Sequence, residues 1–225
     1  MFGKSVKAAA AAVAAAVALA GCGGAPKAGT AALVGDDRIT VTELSQAVRD
    51  WREQFRADPV ANELRADPAN SAPQLAGDSE SDMRGALTLL INFRVARGVA
   101  DEAGVEITGA RVDAAVRSLS RDRFGGYQRG RAESITLASG LPRRHTRDLA
   151  RLVATQAAVM ERFGASGDGR LDAATQQAGQ RWNDLFRRTA DGMGIEVNPR
   201  YGDYDPGKFE IGPFQHRLSK PDSGI

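Results

Sequence analysis

The chain is poor in the residues from which reactive sites are built. Of its 225 residues, one is cysteine, two are histidine and 6% are aromatic. A lone cysteine excludes an intrachain disulfide and any cysteine-based metal cluster. His145 lies in the run Arg143-Arg144-His145-Thr146-Arg147, where neighbouring positive charge disfavours both an imidazolium and a bound cation. His216 lies in a polar C-terminal stretch. Both read as surface residues, so nucleophilic catalysis with a positioned imidazole is not expected. A glycine-rich phosphate loop and a helical His-Glu-x-x-His zinc pair are also missing from the sequence. Asp36-Asp37 reads as turn chemistry and Asp101-Glu102 as solvent-facing charge. The chain is therefore read as a non-enzyme with no cofactor, no metal site and no catalytic residue.

Long apolar runs are scarce too. Ala8 to Ala20 follows Lys4 and Lys7 and is too short to span a bilayer comfortably. Leu19-Ala20-Gly21-Cys22 then matches the lipobox cut before a lipid-modified cysteine. Residues 1–21 are predicted to be a lipoprotein signal peptide. Cys22 is predicted to carry acyl chains such as palmitate, anchoring an exported chain to the extracytoplasmic face of the cell membrane. Residues 22–30, rich in Gly and Ala, read as a tether.

The net charge of +2 comes from Lys4 and Lys7; without them 28 basic residues face 28 acidic ones. The distribution is uneven. Residues 22–82 hold 6 basic and 11 acidic residues, whereas residues 111–151 hold 10 arginines and 4 acids. The basic block, with Arg143, Arg144 and Arg147 as its tentative patch, reads either as a solvated helical surface or as a contact for acidic polypeptide or anionic headgroups. Export and the shortage of aromatics in the block argue against nucleic acid.

The pattern along the chain is mainly helical. Ala31 to Val41 reads as a hairpin turning at Gly35-Asp36-Asp37. Thr42 is read as the cap of a helix through Leu44, Val48, Trp51 and Phe55. Residues 57–81, with Pro59, Pro68 and Pro73 and few aliphatics, read as a flexible insertion with one helical turn near Asn62. The longest pattern runs from Asp82, its expected cap, to Ile107. Met83, Leu87, Leu90, Ile91, Val95 and Val99 form a single stripe, and Gly104 stops the helix. Further helices are predicted from Thr108 to Gly125-Gly126, over 128–138, from Arg143 to Phe163, and from Asp172 to Asp191. Gly164 to Arg170 is a linker. Ile195-Glu196-Val197 reads as a short strand, Phe209 and Ile211 as another extended piece, and the remainder of 207–225 as a polar tail.

Six large residues, Trp51, Phe55, Met83, Met160, Trp182 and Phe186, serve either as core or as the lining of a groove for extended apolar peptide, where methionine adaptability suits many sequences.

Taken in order, four segments resemble the SurA/PrsA family of exported chaperones. They are AALVGDDRITVTELSQAV (31–48), ALTLLINFRVARGVADEAGVEITGARVDAAV (86–116), LARLVATQAAVMERFG (149–164) and GIEVNPRYGDYDP (194–206). The resemblance implies a SurA N-terminal-like helical domain over 31–206, in which a short hairpin pairs N- and C-terminal segments. It also implies ATP-independent holding of unfolded exported polypeptides. Full-length members carry a parvulin-type prolyl isomerase between the two halves. Here only Gly164 to Arg170 separates the corresponding helices, and the isomerase's His and Cys positions are missing. Two alternatives stay open: an envelope lipoprotein that binds another ligand or partner, and an isomerase-like protein with a degenerate or missing catalytic domain.

Overall fold

The computed structural model describes residues 28–67, 79–121, 126, 128–167 and 172–212. The expected signal peptide, Cys22, His216, residues 68–78 of the expected insertion and most of the expected tail lie outside these residues.

The fold begins with β1 (Thr30–Val34) and β2 (Asp37–Thr40), joined through Gly35 at φ +59°. α1 (Val41–Arg56) follows at once. Its cap is Thr40, whose hydroxyl accepts from the Glu43 N–H at 3.0 Å, rather than Thr42. Thr40-Val41-Thr42-Glu43 has the Thr-x-x-Glu spacing of a capping box, which a start at Thr42 would forfeit. α2 (Pro59–Ala66) is a second difference. Within the expected flexible insertion the helix is longer than the single turn expected near 62–65, and it is capped by Asp58 with proline at its first position.

α3 (Ser79–Ala103) has 25 residues and is about 37 Å long. It starts before Asp82, so that residue is not its cap; the carboxylate is buried and paired with Arg52 of α1, whose Nε donates at 2.8 Å. Leu87, Ile91, Val95 and Val99 are fully buried. They pack with Val34, Ile39, Leu44, Trp51, Trp182 and Phe186 in one continuous core. Gly104, at φ +62°, ends the helix as expected.

α4 (Gly109–Leu119), capped by Thr108, stops before the predicted Gly125-Gly126. α5 (Arg131–Ala138) and a 3-10 turn at Arg143–His145 precede α6 (Thr146–Arg162). Val112 and Ala115 of α4 pack on Ala150 and Ala154 of α6 as a smaller apolar cluster. α7 (Ala173–Gly192) covers the span expected from Asp172 to Asp191, with Asp172 as its cap. At Gly98 of α3 an added methyl would sit 3.0 Å from the Thr189 Cγ2, so α3 and α7 approach closely there.

β3 (Glu196–Val197) returns to pair antiparallel with β1, giving the order β2-β1-β3. Asn198 extends the join through its backbone N–H to Ala31 O and its side-chain amide to Thr30 O. The mainly helical class and the strand pairing between the two ends of the chain are thus both present. The last elements are β4 (Asp203–Asp205) and β5 (Glu210–Gly212), an antiparallel pair packed on α3. The expected polar tail is therefore folded as far as Gly212.

Candidate functional site

The six large residues do not converge on one exposed face. Trp51 is buried, and its indole N–H donates to Leu137 O at 2.7 Å; Phe55 stacks beside it at 5.5 Å. Trp182 and Phe186, also 5.5 Å apart, are buried on the inner side of α7. Met83 and Met160 are half-buried against the same core, with the Met160 methyl facing Gly179 of α7. The structure thus places Trp51, Trp182 and Phe186 in the core rather than along an open groove, because a long helix with one apolar stripe draws its neighbours' largest side chains onto that stripe.

The three arginines of the basic block are each engaged. Arg143 donates to Asp58 at 2.9 Å, Arg147 to Asp113 at 2.9 Å, and Arg144 pairs with Asp50. An unopposed positive patch is not present at these positions, since folding brings carboxylates from α1, α4 and the α2 cap onto them. His145, expected on the surface, keeps only 14% of its side chain exposed. Its Nδ1 lies 3.0 Å from the Asp148 carboxylate, and that hydrogen bond holds the Asp148 carboxyl below the usual carboxylate range.

An open cleft of about 520 Å³ lies where the start of α2 meets α5, with Asp58, Val60, Arg129, Glu133, Ser134 and Arg143 among its lining residues. Asp58 is its buried centre. It accepts from Ala61 N at 2.9 Å, from Ser134 Oγ at 3.0 Å and from Arg143. Burial raises its pKa, but the Ala61 N–H, Arg143 and Ser134 together outweigh it and hold the carboxyl below its ordinary range. Ser134 donates to a carboxylate, and the Nδ1 of His145 faces Asp148, so the serine has no imidazole base on that side. The arrangement is a charged latch for α2, not an activated nucleophile. Asp58 and Ser134 were missed in the sequence; the only available sign was Asp58-Pro59, a capping residue before a helix-starting proline.

The latch has a measurable consequence. Asp58→Ala should cost about 2–3 kcal/mol: roughly 1 for the cap, the rest for orphaned partners, discounted because Arg143 is half exposed. The carboxyl's pKa is lower in the fold than in the unfolded chain. Its stabilisation is therefore complete above the ordinary value of 3.8 and fades as pH falls below it. The gap between the urea midpoints of wild type and variant should be full at pH 7 and narrow progressively as the pH is taken below 3.8. A gap that stays constant down to the acid unfolding limit would remove the latch.

Among the described residues, no group of three or more His, Cys, Asp or Glu side chains is placed to hold a metal ion, and no helix is long and apolar enough to cross a membrane. Comparison with family models, curated proteins and solved structures returned no match.

Proposed function

We propose that the chain is a lipid-anchored extracytoplasmic lipoprotein that holds unfolded exported polypeptides without ATP, metal or covalent chemistry. The observation that carries this reading is the closure of the fold by its two ends. β1 lies between β2 and β3, so residues 30–34 and 196–197 share one sheet, and β1 packs on α3. That is the composite arrangement implied by the resemblance to exported chaperones. Cys22 supplies the membrane anchor, and the segment from Gly23 to the start of β1 keeps the folded body within a few nanometres of the bilayer.

A second reading draws on a specific observation. Val60, 39% exposed beside the Asp58 cleft, is the one exposed large hydrophobic among the described residues. An exposed aliphatic beside a charged cleft also suits an envelope lipoprotein with a single dedicated partner. Photocrosslinking from the surface of the chain in living cells separates the two. A holdase should yield many unrelated exported chains, captured mainly before they fold. One dominant folded partner would replace the holdase reading with the alternative.

A further inference from the structure

The β4–β5 segment crosses α3 and is held there in an unusual way. Side chains of α3 read its main chain. The Asn92 side-chain amide donates to Phe209 O at 2.9 Å, and the Thr88 hydroxyl accepts from Ile211 N at 3.0 Å. Thr88 and Asn92 are one turn apart on a single helix face. The Asn92 carbonyl oxygen accepts from the Tyr204 hydroxyl at 2.8 Å, which fixes the amide's orientation. Both main-chain contacts use atoms that every polypeptide carries. Specificity is left to two side chains: Phe209, 4.5 Å from Phe186 of α7, and the buried Ile211.

The segment itself is lightly built. It is a pair of three-residue strands, an arrangement of marginal stability in isolation. Phe209 sits at φ +58°, alone among the described non-glycine residues in positive φ. The strap closes only because residue 202 is glycine. Gly202 adopts φ +114°, and a methyl there would lie 1.9 Å from Gly212 O.

We propose that the face formed by Thr88 and Asn92 of α3 with Phe186 of α7 is a binding groove for extended polypeptide bearing an aromatic and an aliphatic side chain two residues apart. Residues 203–212 occupy it in cis, and an incoming segment of that chemistry takes their place. The strap is an internal stand-in for the ligand, and it keeps Phe186 covered until a competitor arrives. The identification of the ligand as an unfolded exported chain rests on the holdase reading; the groove and its exchange do not.

The test uses the full chain in mild detergent and a fluorescently labelled peptide with the sequence of residues 203–212. Gly202→Ala dislodges the strap and leaves the groove intact. It should bind the peptide at least ~10-fold more tightly than wild type, because the competing closed state is removed. Adding Asn92→Ala should abolish the gain. A Gly202→Ala chain with wild-type helicity and no gain overturns the proposal. A second measurement serves if that variant does not fold. In wild type, saturating peptide should accelerate hydrogen exchange at the Ile211 amide while leaving Ile91 in mid-α3 protected, and unchanged Ile211 exchange overturns the proposal. Peptide binding with no suppression of client aggregation counts against the holdase reading alone. Suppression without peptide binding counts against the exchange alone.

Discussion

Trp51→Ala should destabilise the protein by about 3–5 kcal/mol. The ring is 2% exposed and packs in the core around α3. It also has a second role. Leu137 and Ala138 end α5, where carbonyls have no partner within the helix. The Leu137 carbonyl accepts from the Trp51 indole at 2.7 Å and from the Gly140 N–H at 3.1 Å, and the Ala138 carbonyl accepts from Arg65 Nη1 at 2.9 Å. The Arg65 guanidinium in turn lies 5.4 Å from the Trp51 ring centroid. One side chain thus joins α1, α2 and the end of α5. Trp51→Phe keeps much of the buried area and removes only the indole bond, since the Leu137 carbonyl still accepts from the Gly140 N–H at 3.1 Å, so it should cost about 0.5–1.5 kcal/mol. Urea unfolding with a helical readout measures both. A loss below about 1 kcal/mol for the alanine variant would place Trp51 at the periphery, outside this junction.

Cys22→Ser should abolish anchoring. On the proposed lipoprotein reading, Leu19-Ala20-Gly21-Cys22 places a single sulfur at the cleavage point, and the sequence has no other cysteine to take the lipid. Each buried CH₂ of an acyl chain contributes about 0.8 kcal/mol of membrane affinity, so two or more chains hold the protein stably. The variant should accumulate as unprocessed precursor with no lipid mass. Detergent partitioning and intact mass check this together. A serine variant that is processed and retained as wild type would contradict the anchor.

The α3 stripe was legible because one face is apolar over the whole helix, and periodicity needs nothing beyond the helix itself. Gly104 and Thr108 were legible because caps act within a few residues. What was missed depends on distant partners. α2 looks like a proline-broken insertion in isolation. It becomes a helix because Asp58 meets Ser134 and Arg143, far along the chain. The pairing of the basic block was hidden for the same reason. Arg143 and Arg144 count as excess charge in sequence, yet the fold sets them against Asp58 and Asp50 of the acidic segment. Composition records which charges are present, not which meet. His145 was read from its basic neighbours alone, while Asp148, one turn further on, accounts for its partner. Of the last strap, the extended piece at Phe209 and Ile211 was legible, whereas β4 was not, since three residues are too few to show a period.

The central claim is that this fold holds unfolded chains and does no chemistry on them. Light scattering of an unfolded model protein, mixed with residues 23–225 at near-stoichiometric ratios, tests it most directly. The account predicts slowed aggregation for several unrelated clients without added nucleotide, and no acceleration of cis/trans exchange in a proline peptide followed in parallel. Aggregation that proceeds unchanged for every client would contradict it.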